Sequence, residues 1–134
     1  MASIRKVIEL GASPDAVWDA LADFQAVHER VAQGFVTSSR PVGEDRVVTF
    51  APGGEAQERL VTADVAGRRL VYTVVRSGLG ATHHQASAEV LEPTDGTGGS
   101  RLVWITDVLP DDLGPVIDGL MDEGAVAIAR TLAG

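Results

Sequence analysis

"GASPDAVWDALADF", residues 11–24, is the stretch from which the rest of the chain can be read. Ser13 can serve as an N-cap, and Pro14 stands at the first helical position, where a missing N–H costs nothing. Asp15 meets the positive end of the helix dipole. Val17, Leu21 and Phe24 recur at the spacing of one buried face. The stretch predicts a short amphipathic helix. Just before it, residues 3–10 alternate Ile4, Lys6 and Ile8 with Arg5, Val7 and Glu9, which reads as a strand with either face eligible for burial. Residues 25–32 add a second short helix before Gly34.

Downstream the pattern changes to strands separated by turn chemistry. Apolar or alternating segments at 35–40, 46–50, 56–65, 69–76, 82–91 and 101–109 end at Pro- and Gly-rich punctuation such as Pro52-Gly-Gly54 and Ser77-Gly-Leu-Gly80. Connections this short make successive strands antiparallel neighbours, a meander. Residues 111–132 differ in kind. Leu113, Val116, Ile117, Leu120, Gly124, Ala127, Ile128 and Thr131 fall on one helical face, with Asp118 and Asp122 roughly opposite. Asp111 and Asp112 are placed to cap its start. The acids of this segment read as a solvated helix face. The expected architecture is α+β: a seven-stranded antiparallel sheet wrapped around a long C-terminal helix, with two short helices after strand 1. The opening helix and Trp18, taken as purely structural, then close a wall or floor beneath the long helix.

Composition narrows the function. The chain has 134 residues, the length of one domain spanning residues 1–134, and a formal net charge of -8, which would be repelled by nucleic acid or an anionic membrane. It has no cysteine, which removes thiolate nucleophiles and zinc–sulfur sites. No apolar run is long enough for membrane insertion, and the first ten residues lack the apolar core of a signal peptide, so a cytoplasmic protein is expected. His83 and His84 are adjacent in a strand and point to opposite faces, and His28 is distant, so no metal site is expected. "GTGGS" is a hairpin turn with no helix after it, and no G-x-S-x-G elbow is present.

The stretches "ASPDAVWDALADF", "ERLVTADVAGRRLVYTVV" and "GSRLVWITDVLP" before the final helix resemble the SRPBCC superfamily, the START/Bet v 1-like helix-grip proteins. The branch they are most similar to is that of the bacterial polyketide cyclase/dehydrase and lipid-transport proteins. The resemblance covers nearly the whole chain. It implies the fold, with an internal hydrophobic cavity beneath the C-terminal helix, in a superfamily that includes cyclases, lipid carriers and hormone receptors of one shape; no ligand identity carries over, and no cofactor is expected. The chain departs from the family pattern at "QAVHERVAQG" and "SGLGATHHQ", both at the cavity mouth in such proteins.

Strand alternation nominates the cavity residues. Val61, Ala63 and Val65 share a face in their strand and draw Gln57 and Arg59 inward with them. Arg59 then anchors a carboxylate or enolate oxygen, or else forms a salt bridge with Glu58 or another strand's acid near the sheet rim. Tyr72 and His84 face inward, where either can move protons for an aldol cyclisation and dehydration, which require a base and an oxyanion stabiliser, or they are a packed ring with its hydroxyl satisfied and a half-buried histidine hydrogen-bonded to a neighbour. Phe50, Val61, Ala86, Trp104, Leu120, Gly124 and Ile128 complete the expected cavity lining. A glycine in mid-helix costs about 1 kcal/mol against alanine, and Gly124 is expected to leave ligand space below the helix. The expected mouth lies near residues 51–55 and 77–82. The partner expected is a hydrophobic or aromatic small molecule, met by a monomer or homodimer. Three functions fit: a polyketide cyclase/dehydratase-type enzyme, a non-catalytic carrier or sensor for a lipid or aromatic small molecule, or a protein-binding module of the same fold, which would show a filled interior and an exposed apolar patch.

Overall fold

The computed structural model describes residues 1–134. β1 (Ala2–Leu10) runs into α1 (Pro14–Ala22) as the capping signals predict, with the Ser13 hydroxyl accepting from Ala16 N at 3.2 Å. A short 3-10 turn at Phe24–Ala26 leads into α2 (Val27–Arg30). Six strands follow in hairpin succession: β2 (Val36–Val42), β3 (Asp45–Phe50), β4 (Glu55–Asp64), β5 (Arg69–Ser77), β6 (His83–Leu91) and β7 (Ser100–Leu109). The last element, α3 (Gly114–Thr131), is preceded by a 3-10 turn at Asp111–Leu113. Neither Asp111 nor Asp112 makes the expected side-chain cap there.

All strand pairs are antiparallel, in the spatial order β1-β7-β6-β5-β4-β3-β2. The sheet thus grows by neighbour-to-neighbour hairpins from β2 to β7, and β1 closes against the last strand with Ala2 opposite Val108. α3 lies on the concave face and buries Ile117, Met121, Gly124, Ala127 and Ile128. Ala127 and Ile128 share a core with Val17, Ala20 and Leu21 of α1, Ile8 and Leu10 of β1 and Leu102 of β7, while Ile117 and Met121 pack with Val108 in a smaller cluster. Trp18 packs against this core from its edge.

β1 resolves its ambiguous alternation by turning Ile4, Lys6 and Ile8 toward the helix. Lys6 forms ion pairs with Asp118 and with Asp122, the latter at 2.8 Å. Two acids that read as a solvated face are therefore held by a lysine of the sheet. Gly11 has its own reason. A Cβ there would lie 1.8 Å from the Ala133 carbonyl oxygen, because the chain's last turn crosses it and Ala12 N donates to Leu132 O at 3.0 Å. The opening stretch thus contains both the start of α1 and the slot that receives the end of α3.

β4 departs from simple alternation, and that overturns one assignment. Its register with β5 shifts twice, between Gln57 and Glu58 and between Leu60 and Thr62. The second shift leaves Val61 as an unpaired, bulged residue, which breaks the two-residue period that Val61, Ala63 and Val65 imply. Counting back across the bulge reverses the faces. Ala56 and Glu58 point inward, while Val61 is 55% exposed and the Arg59 side chain 59% exposed.

Candidate ligand-binding cavity

A cavity of about 380 Å³ lies between the concave face and α3. The opening helices supply Leu21, Val27 and Val31, and the β2–β3 side supplies Phe35, Val48 and Phe50. Leu70, Tyr72 and Val74 of β5 form the middle of the wall, with Leu102, Trp104 and Thr106 of β7 further along. α3 roofs it with Ile117, Leu120, Met121, Gly124 and Ile128. The lining reaches the exposed β3–β4 turn at Gly53, Gly54 and Glu55 and the β5–β6 loop at Gly78, where the mouth was expected.

Phe50, Tyr72, His84, Trp104, Leu120, Gly124 and Ile128 accordingly line the space as the strand and helix periods imply. Arg59 and Val61 do not. Arg59 lies on the outer face and forms a two-pronged ion pair with Asp45, with Nε–Oδ1 and Nη2–Oδ2 both at 3.0 Å. The rim salt bridge is the arrangement found, and its acid is Asp45 rather than Glu58. Asp45 also accepts from Gln57 at 2.8 Å. Arg59 first, and then Gln57, hold the Asp45 carboxyl below its ordinary value. Ala86 is buried on the inward face, in register with Tyr72 and Thr106, but does not border the space.

The cation inside the fold is Arg46, 4% exposed, and its partner is Glu58, 6% exposed. They stand opposite each other on β3 and β4, with Nε donating to Oε1 at 2.8 Å. Nη1 donates to Phe24 O at 2.8 Å. The guanidinium carbon lies 3.8 Å from the Phe24 ring centroid and 5.2 Å from that of Tyr72, both within cation–π range. Sequence reasoning missed this pair. The available signal was that Arg46 shares its alternation with Val48 and Phe50, two inward residues of the same strand.

Tyr72 continues the polar patch on β5. Its hydroxyl oxygen accepts from Trp104 Nε1 at 3.3 Å, and no protein acceptor takes its own hydrogen. Burial, and secondarily the Glu58 carboxylate, push its ionisation well above the ordinary phenol value, so it stays a neutral donor. His84 borders the cavity on β6 with Nδ1 buried and unpartnered. Burial, and then His83, lower its ionisation below the ordinary imidazole value, so it is neutral at physiological pH.

Gly124 requires a second correction. A Cβ at this position would lie 2.9 Å from Trp104 Cη2 and 3.0 Å from Cζ3. The missing side chain makes room for the tryptophan ring, so the space directly below Gly124 is filled by indole rather than left for ligand.

The family model described as polyketide cyclase / dehydrase and lipid transport matches residues 1–133. Among solved structures, XoxI from Bacillus cereus superposes with a TM-score of 0.84 at 20% identity, over 98% of this chain and 96% of that one. A START superfamily protein from Mycobacterium smegmatis gives 0.73 at 15% identity, over 98% and 94% of the two chains. Norcoclaurine synthase from Thalictrum flavum, in complex with dopamine and hydroxybenzaldehyde, gives 0.68 at 21% identity, over 96% and 84%. These likenesses are of fold. No curated protein matches the sequence.

Proposed function

The chain belongs to the polyketide cyclase/dehydrase and lipid transport family, and we propose that it works by enclosing one small, largely apolar molecule in the cavity under α3. The observation that supports this reading is the cavity itself. Its volume of about 380 Å³ is near the lower end of ligand sites, which span about 300–1,000 Å³, and suits a compact ring system better than a long acyl chain. Its walls are mostly apolar, and the polar side chains that meet it are Arg46, Glu58, Tyr72, His84 and Thr106, with Glu55 and Ser77 at the mouth. That norcoclaurine synthase, a protein of the same fold, holds two small aromatic compounds agrees with this size class. Titration with aminoanthracene, a neutral probe that brightens in apolar surroundings, tests it. Wild type should bind saturably, and Leu120→Trp, which pushes an indole into the space from the roof, should abolish binding while the circular dichroism stays native. Equal affinity in both proteins would place the probe elsewhere and sink the proposal.

One observation favours a catalytic version of the same reading. His84 offers a neutral imidazole whose buried Nδ1 has no partner. It suits the proton-accepting step of a cyclisation or dehydration, with the Tyr72 O–H donating to the oxygen that gains charge. In that case His84→Gln loses turnover of a poly-β-ketone substrate by about 10²–10⁴-fold and keeps aminoanthracene affinity. Unchanged turnover leaves the protein a carrier.

A further inference from the structure

We propose that the cavity selects ligands whose polar end is an un-ionised oxygen, a ketone or a phenol, and rejects the corresponding carboxylates. This rests on the cavity being the ligand site and deepens that reading. A buried arginine beside an apolar cavity invites the opposite expectation, that it holds an acid. Here, however, its charge is already matched. Glu58 stands opposite Arg46 at 2.8 Å, and both side chains border the space. A ligand carboxylate entering beside Arg46 also enters beside Glu58, and the attraction of one is offset by the repulsion of the other. The carboxylate meanwhile loses its hydration, a large cost that only an unmatched cation would offset.

A neutral oxygen meets a different environment. Nη1 and Nε of Arg46 are used by Phe24 O and Glu58, and the remaining guanidinium N–H groups have no protein acceptor. The Tyr72 hydrogen is free as well. These are donors waiting for a lone pair, next to a net charge of zero. A ketone oxygen can take them without carrying charge into the interior. A phenol can do so and also donate to Glu58, whose other oxygen makes no protein hydrogen bond. The Tyr72 ring borders the same corner and favours a flat ligand body, while Phe24, its ring centroid 6.4 Å from that of Tyr72, packs against it outside the lining.

Three naphthalenes of nearly one shape test this: ethylnaphthalene, acetonaphthone and naphthoate, each displacing aminoanthracene at neutral pH. The expected order in wild type is acetonaphthone tightest, ethylnaphthalene next, and naphthoate weaker than the ketone by at least about tenfold, the equivalent of one uncompensated hydrogen-bond or charge cost. Tyr72→Phe should weaken acetonaphthone several-fold and leave ethylnaphthalene unchanged. Glu58→Gln should invert the order, with naphthoate now bound tightly and raising the melting temperature of the variant. Should Glu58→Gln fail to fold, the wild-type order and Tyr72→Phe decide the matter. Naphthoate bound as tightly as the ketone by wild type overturns the selectivity and leaves the cavity reading intact. An absence of binding by all three and by aminoanthracene overturns the cavity reading itself.

Discussion

Arg46 and Arg59 sit on neighbouring strands and face opposite sides of the sheet, and the same substitution should separate their roles. Arg46→Met leaves Glu58 buried without its cation, which should lower stability by about 3–5 kcal/mol. The pair Arg46→Met with Glu58→Leu should recover most of that loss, because a matched apolar pair replaces two desolvated charges. Arg59→Met removes an ion pair at the sheet surface and should change cavity binding of aminoanthracene by nothing measurable. Denaturant unfolding and probe titration of the three proteins check this. A recovery absent from the double variant, or a binding defect in Arg59→Met, would contradict the assignment. The residue scale is also where sequence reading failed. It anticipated an inward arginine and offered a rim salt bridge as the alternative for Arg59. The choice depended on Val61, Ala63 and Val65 marking the buried face, whereas a bulge at Val61 breaks that period and all three lie exposed. The Arg46–Glu58 pair depends on strand register between β3 and β4, which no local pattern supplies.

At the scale of elements the sequence was far more legible. The N-cap, Pro14 and the spacing of Val17, Leu21 and Phe24 act over a single turn or two, and α1 forms where they place it. Turn residues likewise act locally, so the hairpin succession from β2 to β7 follows from punctuation alone. What periodicity cannot show is what occupies the gap opposite a small residue. Gly124 reads equally as ligand space or as a berth for a neighbour, and Trp104 takes it. Gly124→Ala should therefore act against its helix propensity. Alanine favours a helix by about 1 kcal/mol, but its Cβ must displace the indole, so the variant should be no more stable than wild type. The displaced ring should also weaken the Trp104 Nε1 bond to Tyr72, seen as a shift in tryptophan emission. A stabilised variant with unchanged emission would show that the berth is slack.

For the whole molecule, acid should erode stability in two separate windows. His84 has a folded ionisation below its ordinary 6.5, so the unfolded chain takes up that proton first. Its contribution is complete above 6.5 and is lost as pH falls through the lowered folded value. Asp45 is likewise lowered from 3.8, by Arg59 and Gln57, and its contribution is lost only as pH falls below that. Melting temperature against pH should show an upper limb that disappears in His84→Gln and a lower limb that shrinks in Arg59→Met. A wild-type curve flat from neutral pH down to 4 would remove His84 from the account.

The pairing of β1 with β7 has a consequence for the order of assembly. Of the seven strands of this sheet, β1 is made first, and its only sheet neighbour, β7, is made last. Until β7 emerges, β1 carries unpaired backbone groups on both sides, and the helix that covers it emerges later still. Hairpins β2 to β7 can form as they appear, whereas the sheet as a whole closes only once β7 has been made. Closure of the native sheet therefore waits on the pairing with the greatest separation along the chain, β1 with β7.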